Sequence, residues 1–143
     1  MYDIERINSF VDDITRFFQD LEAVGLNEQN LKVPDKLHAS SMLIFGIINR
    51  SIDIAEEILV KNDLPMPSSY SECFPALSKA GLIDTKLCVA MERLAKERGL
   101  FAHHYYDMQP KKVLQLRKEV VIAKGFVEKV KELVKKEMRQ RKV

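Results

Sequence analysis

Five side chains capable of chemistry lie between positions 98 and 106 of this 143-residue chain: an arginine, two adjacent histidines and two adjacent tyrosines. They belong to the stretch ERGLFAHHYYDM, residues 97–108. Arg98 carries a planar, permanently charged guanidinium that suits phosphate. Histidine side chains can exchange protons near neutral pH, so His103 and His104 are both candidates for acid–base chemistry. The phenols of Tyr105 and Tyr106 can donate hydrogen bonds or stack on a nucleobase.

These side-chain types together predict a ribonuclease that works without a metal ion. An arginine can neutralise a pentavalent phosphate, a histidine can transfer the proton and an aromatic ring can hold the base. No cluster of carboxylates nearby has the spacing of metal ligands, which disfavours a two-metal nuclease. Because metal-free cleavage normally uses the 2′-hydroxyl as the nucleophile, we expect RNA to be cut and DNA to be spared. The chemistry calls for no cofactor.

One regular helix in one chain would not bring the three groups together. Arg98 and Tyr105 are seven residues apart and would share a face, whereas His103 would point well to the side. A bend at Gly99, directly after the arginine, would be one remedy. The other is a second subunit that brings its own copy of the stretch across an interface. The sequence leaves both arrangements open.

The elements that must position these residues are helical. Apolar residues recur at helical spacing, and no segment alternates with a period of two, so no strand is predicted. The second helix is apolar on several faces, which is typical of a central helix. The sequence predicts one all-α domain over residues 1–143, an antiparallel bundle of four long helices plus one short helix. The predicted helices are residues 3–24, 36–61, 72–80, a helix capped by Asp84, and 111–139.

Composition and charge narrow the class of protein. The net charge is +2, so there is no strong overall bias toward nucleic acid. The longest apolar run, residues 42–48, is far too short to span a membrane. The N-terminus is charged from the start, unlike a signal peptide. Cys73 and Cys88 have no zinc-site spacing and are expected to be free thiols. We therefore expect a cytoplasmic protein that makes no membrane contact.

The last fifteen residues carry seven Lys or Arg against two Glu. They could contact phosphates of a nucleic acid. The simpler interpretation is a solvated helix end whose cations favour the negative end of the helix dipole. We prefer the simpler interpretation, and the basic end only assists a nucleic-acid hypothesis that has other support.

The chain resembles the HEPN superfamily, and within it the HepT-like toxins that are encoded beside minimal nucleotidyltransferase (MNT) antitoxins. Arg98, His103 and Tyr105 match the R-x4-H-x-Y signature. The segment LPMPSSYSECFPALSKAGLID (64–84) resembles the stretch that precedes the motif helix in that branch, and DMQPKKVLQL (107–116) resembles the exit into its last helix. With the central IINRSIDIAEEIL (47–59), the resemblance spans roughly residues 3–136.

The resemblance implies a helical homodimer in which the motifs line a shared cleft, with metal-independent endoribonuclease activity carried by Arg98 and His103. It also implies an MNT-type nucleotidyltransferase partner that neutralises the toxin. In some members the antitoxin transfers AMP to the motif tyrosine, which here is Tyr105. The spacing selects His103 over His104. Gly99 departs from the family, which commonly has a polar residue after the arginine. Because glycine has no polar side chain, a hydrogen-bonding group beside the scissile phosphate is missing here.

Two further hypotheses stand beside the ribonuclease toxin. The first is a non-catalytic helical module that binds a nucleotidyltransferase or a nucleotide. The second is a helical scaffold with no site at all. A dimer has support from the residues as well, because the second helix is apolar on more faces than one small bundle covers, and such faces usually mark an interface.

Overall fold

The computed structural model describes residues 1–104 and 107–142, and within them the chain forms helices and no strand. A single residue separates the fourth helix from the fifth and two residues separate the sixth from the seventh, so each pair forms one interrupted long helix. The predicted bundle of four long helices and one short helix is thereby confirmed. The helices are α1 (Ile4–Val24), α2 (Pro34–Lys61), α3 (Cys73–Lys79), α4 (Thr85–Lys96), α5 (Arg98–His104), α6 (Pro110–Glu119) and α7 (Ile122–Arg141).

Helix α1 shows how local sequence sets an element. The side chain of Asp3 accepts a hydrogen bond from the backbone N–H of Arg6 and caps the first turn. Gly25 ends the helix in the left-handed region, with φ 64°, where glycine has no steric penalty. The apolar stripe of the helix is buried against α2 at four positions, namely Ile7, Val11, Ile14 and Leu21.

Helix α2 is the central element of the bundle. It contacts each of the other six helices that the structure describes. Its middle is apolar on several sides because neighbours cover most of its circumference, as its sequence predicted. At Gly46 the ring of Phe17 from α1 comes so close that a Cβ atom would lie 2.9 Å from Cε2 of the ring. Glycine therefore lets α1 approach α2 closely at this point.

The segment that leads to α4 follows its sequence signals. Gly81, with φ 77°, comes two residues after the end of α3 and reverses the chain. Asp84 then caps α4, since its carboxylate accepts a 2.7 Å hydrogen bond from the backbone N–H of Leu87. The capping role predicted for Asp84 is confirmed.

The predicted last helix is broken near its middle. Around Val120 and Val121 the backbone bonds join residues three apart: the N–H of Ala123 donates to the carbonyl of Val120 at 2.9 Å, and that of Lys124 donates to Val121 at 3.0 Å. Three β-branched residues, 120–122, follow one another here, and such residues favour a helix less than straight-chain ones do. The break separates α6, which contacts α2, from α7, which also packs on α4.

No helix in the described part of the chain is both long enough and apolar enough to cross a membrane.

Candidate functional site

Helix α5 carries the start of the motif, and two contacts attach it to α2. Phe101 is buried and stacks on Phe45, with ring centroids 5.8 Å apart. Three residues earlier, Arg98 bonds to Asn49, which lies four residues after Phe45. As α5 proceeds from Arg98 to Phe101, its partners on α2 run backwards, so the two helices are locally antiparallel. One face of α5 is therefore fixed on the central helix.

Two groups hold the guanidinium of Arg98. Its Nε donates a 2.8 Å hydrogen bond to Oδ1 of Asn49. The ring of Tyr70, from the loop between α2 and α3, lies over the guanidinium with its centroid 4.4 Å from Cζ. Neither contact uses the two Nη atoms. The arginine is half-buried, and its planar fork is held by its inner edge and by one face.

The helix is interrupted directly before Arg98 and not at Gly99. Helix α4 ends at Lys96, Glu97 forms a turn, and α5 runs through Gly99 to His104. The carboxylate of Glu97 is tied to Lys112 of α6 at 2.9 Å. The hypothesis of a bend at Gly99, one of the two that the sequence left open, is therefore wrong, because α5 continues through that residue. A Cβ atom at residue 99 would meet nothing within 4 Å, so neither backbone conformation nor crowding requires glycine there.

His103 lies on a different side of α5 from the arginine. Five helical residues turn the side chain by about 140°, and two residues after the buried Phe101 it points roughly opposite to α2. His103 and its neighbour His104 are both exposed. The helix thus directs Arg98 toward α2 and His103 toward the outside of this chain. Tyr105, along with Tyr106 and Val143, lies outside the described residues.

A half-buried carboxylate lies near the arginine. Glu56 is seven residues after Asn49 on α2 and so lies on the same face of that helix. Burial raises the pKa of Glu56, the negative charge of Asp53 raises it further, and the positive charge of Arg98 lowers it. The side of α2 that faces Arg98 thus bears an amide and a carboxyl group of enhanced proton affinity.

Asn49, Tyr70 and Glu56 were not among the predicted site residues. Asn49 had one available signal, since it is a polar residue after the apolar run MLIFGII, and a polar side chain there needs a partner. Nothing in the sequence indicated that the partner would be an arginine 49 positions later. Tyr70 was only part of a matching segment, and its contact with Arg98 depends on how the loop folds back.

Among residues 1–104 and 107–142, no three His, Cys, Asp or Glu side chains are grouped as a set that could hold a metal ion. One acidic residue of α1 and one of α2 form ion pairs with the same arginine. Arg50 bonds to Asp13 at 2.9 Å and to Asp53 at 2.8 Å, and its guanidinium lies over the ring of Phe10. This network ties α1 to α2 beside the site.

Comparison with known proteins gives consistent matches. A sequence model described as HepT-like, Ribonuclease HepT-like, matches residues 4–136. No curated protein sequence matches the chain significantly. One similar solved structure is the tri-AMPylated HEPN toxin of Shewanella oneidensis in complex with its MNT antitoxin, with a TM-score of 0.81 and 21% identity over 92% of this chain and 99% of that one.

Two further solved structures have the same fold. A toxin–antitoxin structure with AMP-PNP has a TM-score of 0.81 at 19% identity, covering 88% of this chain and 97% of that one. YutE from Bacillus subtilis, a cytosolic protein of unknown function, has a TM-score of 0.80 at 15% identity, covering 96% of this chain and 95% of that one. At such identities the likenesses establish the fold.

Proposed function

Because the chain belongs to the family of HepT-like ribonucleases, we propose that it is a cytoplasmic, metal-independent endoribonuclease toxin that acts as a homodimer on RNA. The observation that carries the proposal is the state of Arg98. Its guanidinium is held at Nε by Asn49 and on one face by Tyr70. An arginine held in this way presents its Nη edge to a phosphate with little orientation left to lose.

In this mechanism Arg98 binds the phosphate that reacts and His103 transfers a proton. A base takes the proton of the RNA 2′-hydroxyl, and the 2′ oxygen attacks phosphorus. The bond from phosphorus to the 5′ oxygen breaks, and the departing oxygen receives a proton. This leaves a 2′,3′-cyclic phosphate and a 5′-hydroxyl. Arg98 neutralises the charge that builds on the phosphate, and His103 transfers a proton at one of the two oxygens.

The dimer supplies what one chain lacks. Arg98 contacts α2, whereas His103 on the same helix is exposed and points away from α2. A second copy across an interface can bring its His103 toward the first copy's Arg98. Met42, an exposed methionine of α2 three residues before Phe45, is the apolar side chain that we assign to this interface.

RNA cleavage in the presence of EDTA tests the proposal. The purified protein should cut single-stranded RNA and leave single-stranded DNA of the same sequence intact. Arg98→Ala and His103→Ala should both abolish cleavage, whereas His104→Ala is the matched control because it removes the neighbouring exposed imidazole. If His103→Ala cuts RNA as well as the unmodified chain does, the mechanism is wrong.

We further propose that an MNT-type nucleotidyltransferase neutralises the protein by transferring AMP to Tyr105. In this step the phenol oxygen attacks the α-phosphate of ATP and pyrophosphate leaves. The Shewanella HEPN toxin, of the same fold, is described as tri-AMPylated in its complex with an MNT antitoxin. Intact mass after co-expression with a nucleotidyltransferase encoded beside the gene should show AMP adducts. Tyr105→Phe should remove them, and Tyr106→Phe should not.

Gly99 favours a second candidate, a non-catalytic acceptor module for the same partner. Residue 99 contributes no polar group beside Arg98, which weakens the case for strong cleavage. The two candidates separate cleanly. If adducts form at Tyr105 and no RNA is cut under any condition in which the dimer is intact, the acceptor module is the correct function.

A further inference from the structure

Asn49 stands out because it is a half-buried amide directly after the apolar run of residues 42–48 in α2. Ile47, Ile48 and Ser51 beside it are buried, and the hydroxyl of Ser51 bonds to the backbone of α2. An amide placed among such neighbours costs free energy unless it is hydrogen-bonded. The bond that Asn49 makes is to Arg98. The amide oxygen of Asn49 in α2 thus accepts a hydrogen bond from an arginine in α5.

The two contacts on Arg98 constrain it in different ways. The Tyr70 ring covers one face of the guanidinium, which fixes the plane but allows the group to rotate within that plane. The bond from Nε to Asn49 is directional. It fixes the inner edge of the guanidinium on α2, and the outer edge, with both Nη groups, is thereby turned the other way. The in-plane direction of the fork is therefore set by Asn49.

We propose that Asn49 is a positioning residue for phosphate binding by Arg98. Its Oδ1 occupies Nε so that the two Nη groups are presented as a pair to one phosphate. This inference rests on the proposed ribonuclease function, and it identifies a residue of α2, outside the motif, as part of how the motif works. Asn49 itself does not touch the substrate.

Positioning affects the reaction rate more than substrate affinity. An RNA strand meets a protein through many phosphates, so the ground-state complex loses little when one arginine turns. The transition state concentrates charge on the single phosphate that reacts, and a misdirected fork no longer neutralises it. We therefore expect variants of Asn49 to lower kcat and to leave KM almost unchanged.

Three substitutions at residue 49 test the proposal. Asn49→Ala and Asn49→Leu remove the acceptor, the second with the same number of side-chain heavy atoms, and should lower kcat roughly 10- to 100-fold. Asn49→Asp keeps an oxygen within reach of Nε and should restore kcat to within a few-fold of the unmodified protein. Asn8→Ala, at an exposed position of α1, is the control. Cleavage by Asn49→Leu at the full rate, or an Asn49→Asp variant as slow as Asn49→Leu, would overturn the proposal.

A second measurement keeps the inference separate from the ribonuclease activity. The side-chain N–H of Arg98 should give a slowly exchanging signal in a nitrogen-15 NMR spectrum, assigned by its loss in Arg98→Ala. The signal should persist in Asn49→Asp and should exchange rapidly in Asn49→Ala. If the chain cuts no RNA, the proposed function fails while this signal still tests the hold on Arg98. A signal unchanged in Asn49→Ala means that Asn49 does not position the arginine.

Discussion

The residue after the arginine is the point where this chain departs most from the pattern it otherwise matches. Gly99 lies in the first turn of α5, and an added Cβ would meet nothing within 4 Å. The glycine is therefore not imposed by the fold, and a polar side chain can be restored there. If the missing hydrogen-bonding group limits cleavage, its return should show in the rate.

Gly99→Asn is expected to cleave RNA faster than the unmodified protein, by a factor of roughly ten for one charge-assisted hydrogen bond to phosphate. Gly99→Ala is the matched control, because it adds the Cβ and restricts the backbone without adding a polar group. Initial rates under single-turnover conditions measure the effect. Equal rates for the alanine and asparagine variants would show that a polar group at residue 99 contributes nothing.

The raised pKa of Glu56 predicts how the stability of the fold changes with pH. Burial raises its pKa above the usual 4.5 in the folded chain, so folding disfavours the ionised form. Below 4.5 the group is protonated in both states and no stability is lost. As pH rises through the raised folded-state value, the ionised group costs stability, and the cost persists at neutral pH.

Glu56→Gln should therefore unfold at a higher temperature than the unmodified protein at pH 7. The difference should shrink as pH falls and vanish near about pH 4, where the carboxyl group is neutral in both states. Thermal unfolding followed by circular dichroism across this range measures it. Glu132→Gln, at an exposed position of α7, is the control. A constant difference between the two proteins at every pH would contradict the assignment.

Among the helices, the periodicity and the caps at Gly25 and Asp84 were readable from the sequence, and the breaks were not. Gly25 and Asp84 act within four residues of their helix ends, so local chemistry alone predicts them. The turn at Glu97 has no such local signal. It is held by the ion pair between Glu97 and Lys112 of α6, and by Phe101 of α5, which stacks on Phe45 of α2. Both are contacts between different helices. The orientation of Arg98 depends on that turn, and so it escaped prediction.

The same substitution, glycine to alanine, should change the free energy of unfolding in opposite directions at two helical positions. Gly125→Ala in α7 places a Cβ 3.9 Å from Leu87, an ordinary contact, and should raise the free energy of unfolding by roughly 0.5–1 kcal/mol. Gly46→Ala in α2 places a Cβ 2.9 Å from the Phe17 ring. The ring must move, and this cost of about 1–3 kcal/mol exceeds the gain in helix propensity.

Urea unfolding of both variants measures the difference. The cause of the loss is checked with Phe17→Leu, which removes the ring that the new Cβ would meet. In that background, Gly46→Ala should be less destabilising than it is alone. If Gly46→Ala stabilises the unmodified chain as much as Gly125→Ala does, the close approach of α1 to α2 is not limiting.

Helix α2 contributes both to the packing of the whole molecule and to the candidate site. The same helix contacts all six of the other described helices and also presents Asn49 to Arg98. The N- and C-terminal ends close the bundle, since the backbone N–H of Tyr2 donates to Glu137 at 2.6 Å and Arg141 donates to the Tyr2 carbonyl at 2.6 Å. The core of the described helices is therefore buried within one chain. The candidate site differs, because Arg98 and His103 leave α5 in different directions.

A mixed dimer tests whether the site is shared between subunits. Arg98→Ala and His103→Ala chains, co-expressed with different affinity tags, give a heterodimer that tandem purification isolates. If Arg98 of one chain works with His103 of the other, one of the two sites in that heterodimer keeps both groups, and about half of the unmodified cleavage rate should return. Each variant homodimer has no complete site and should stay inactive. A heterodimer as inactive as either homodimer would place Arg98 and His103 of one chain in the same site, which α5 would then have to bend to allow.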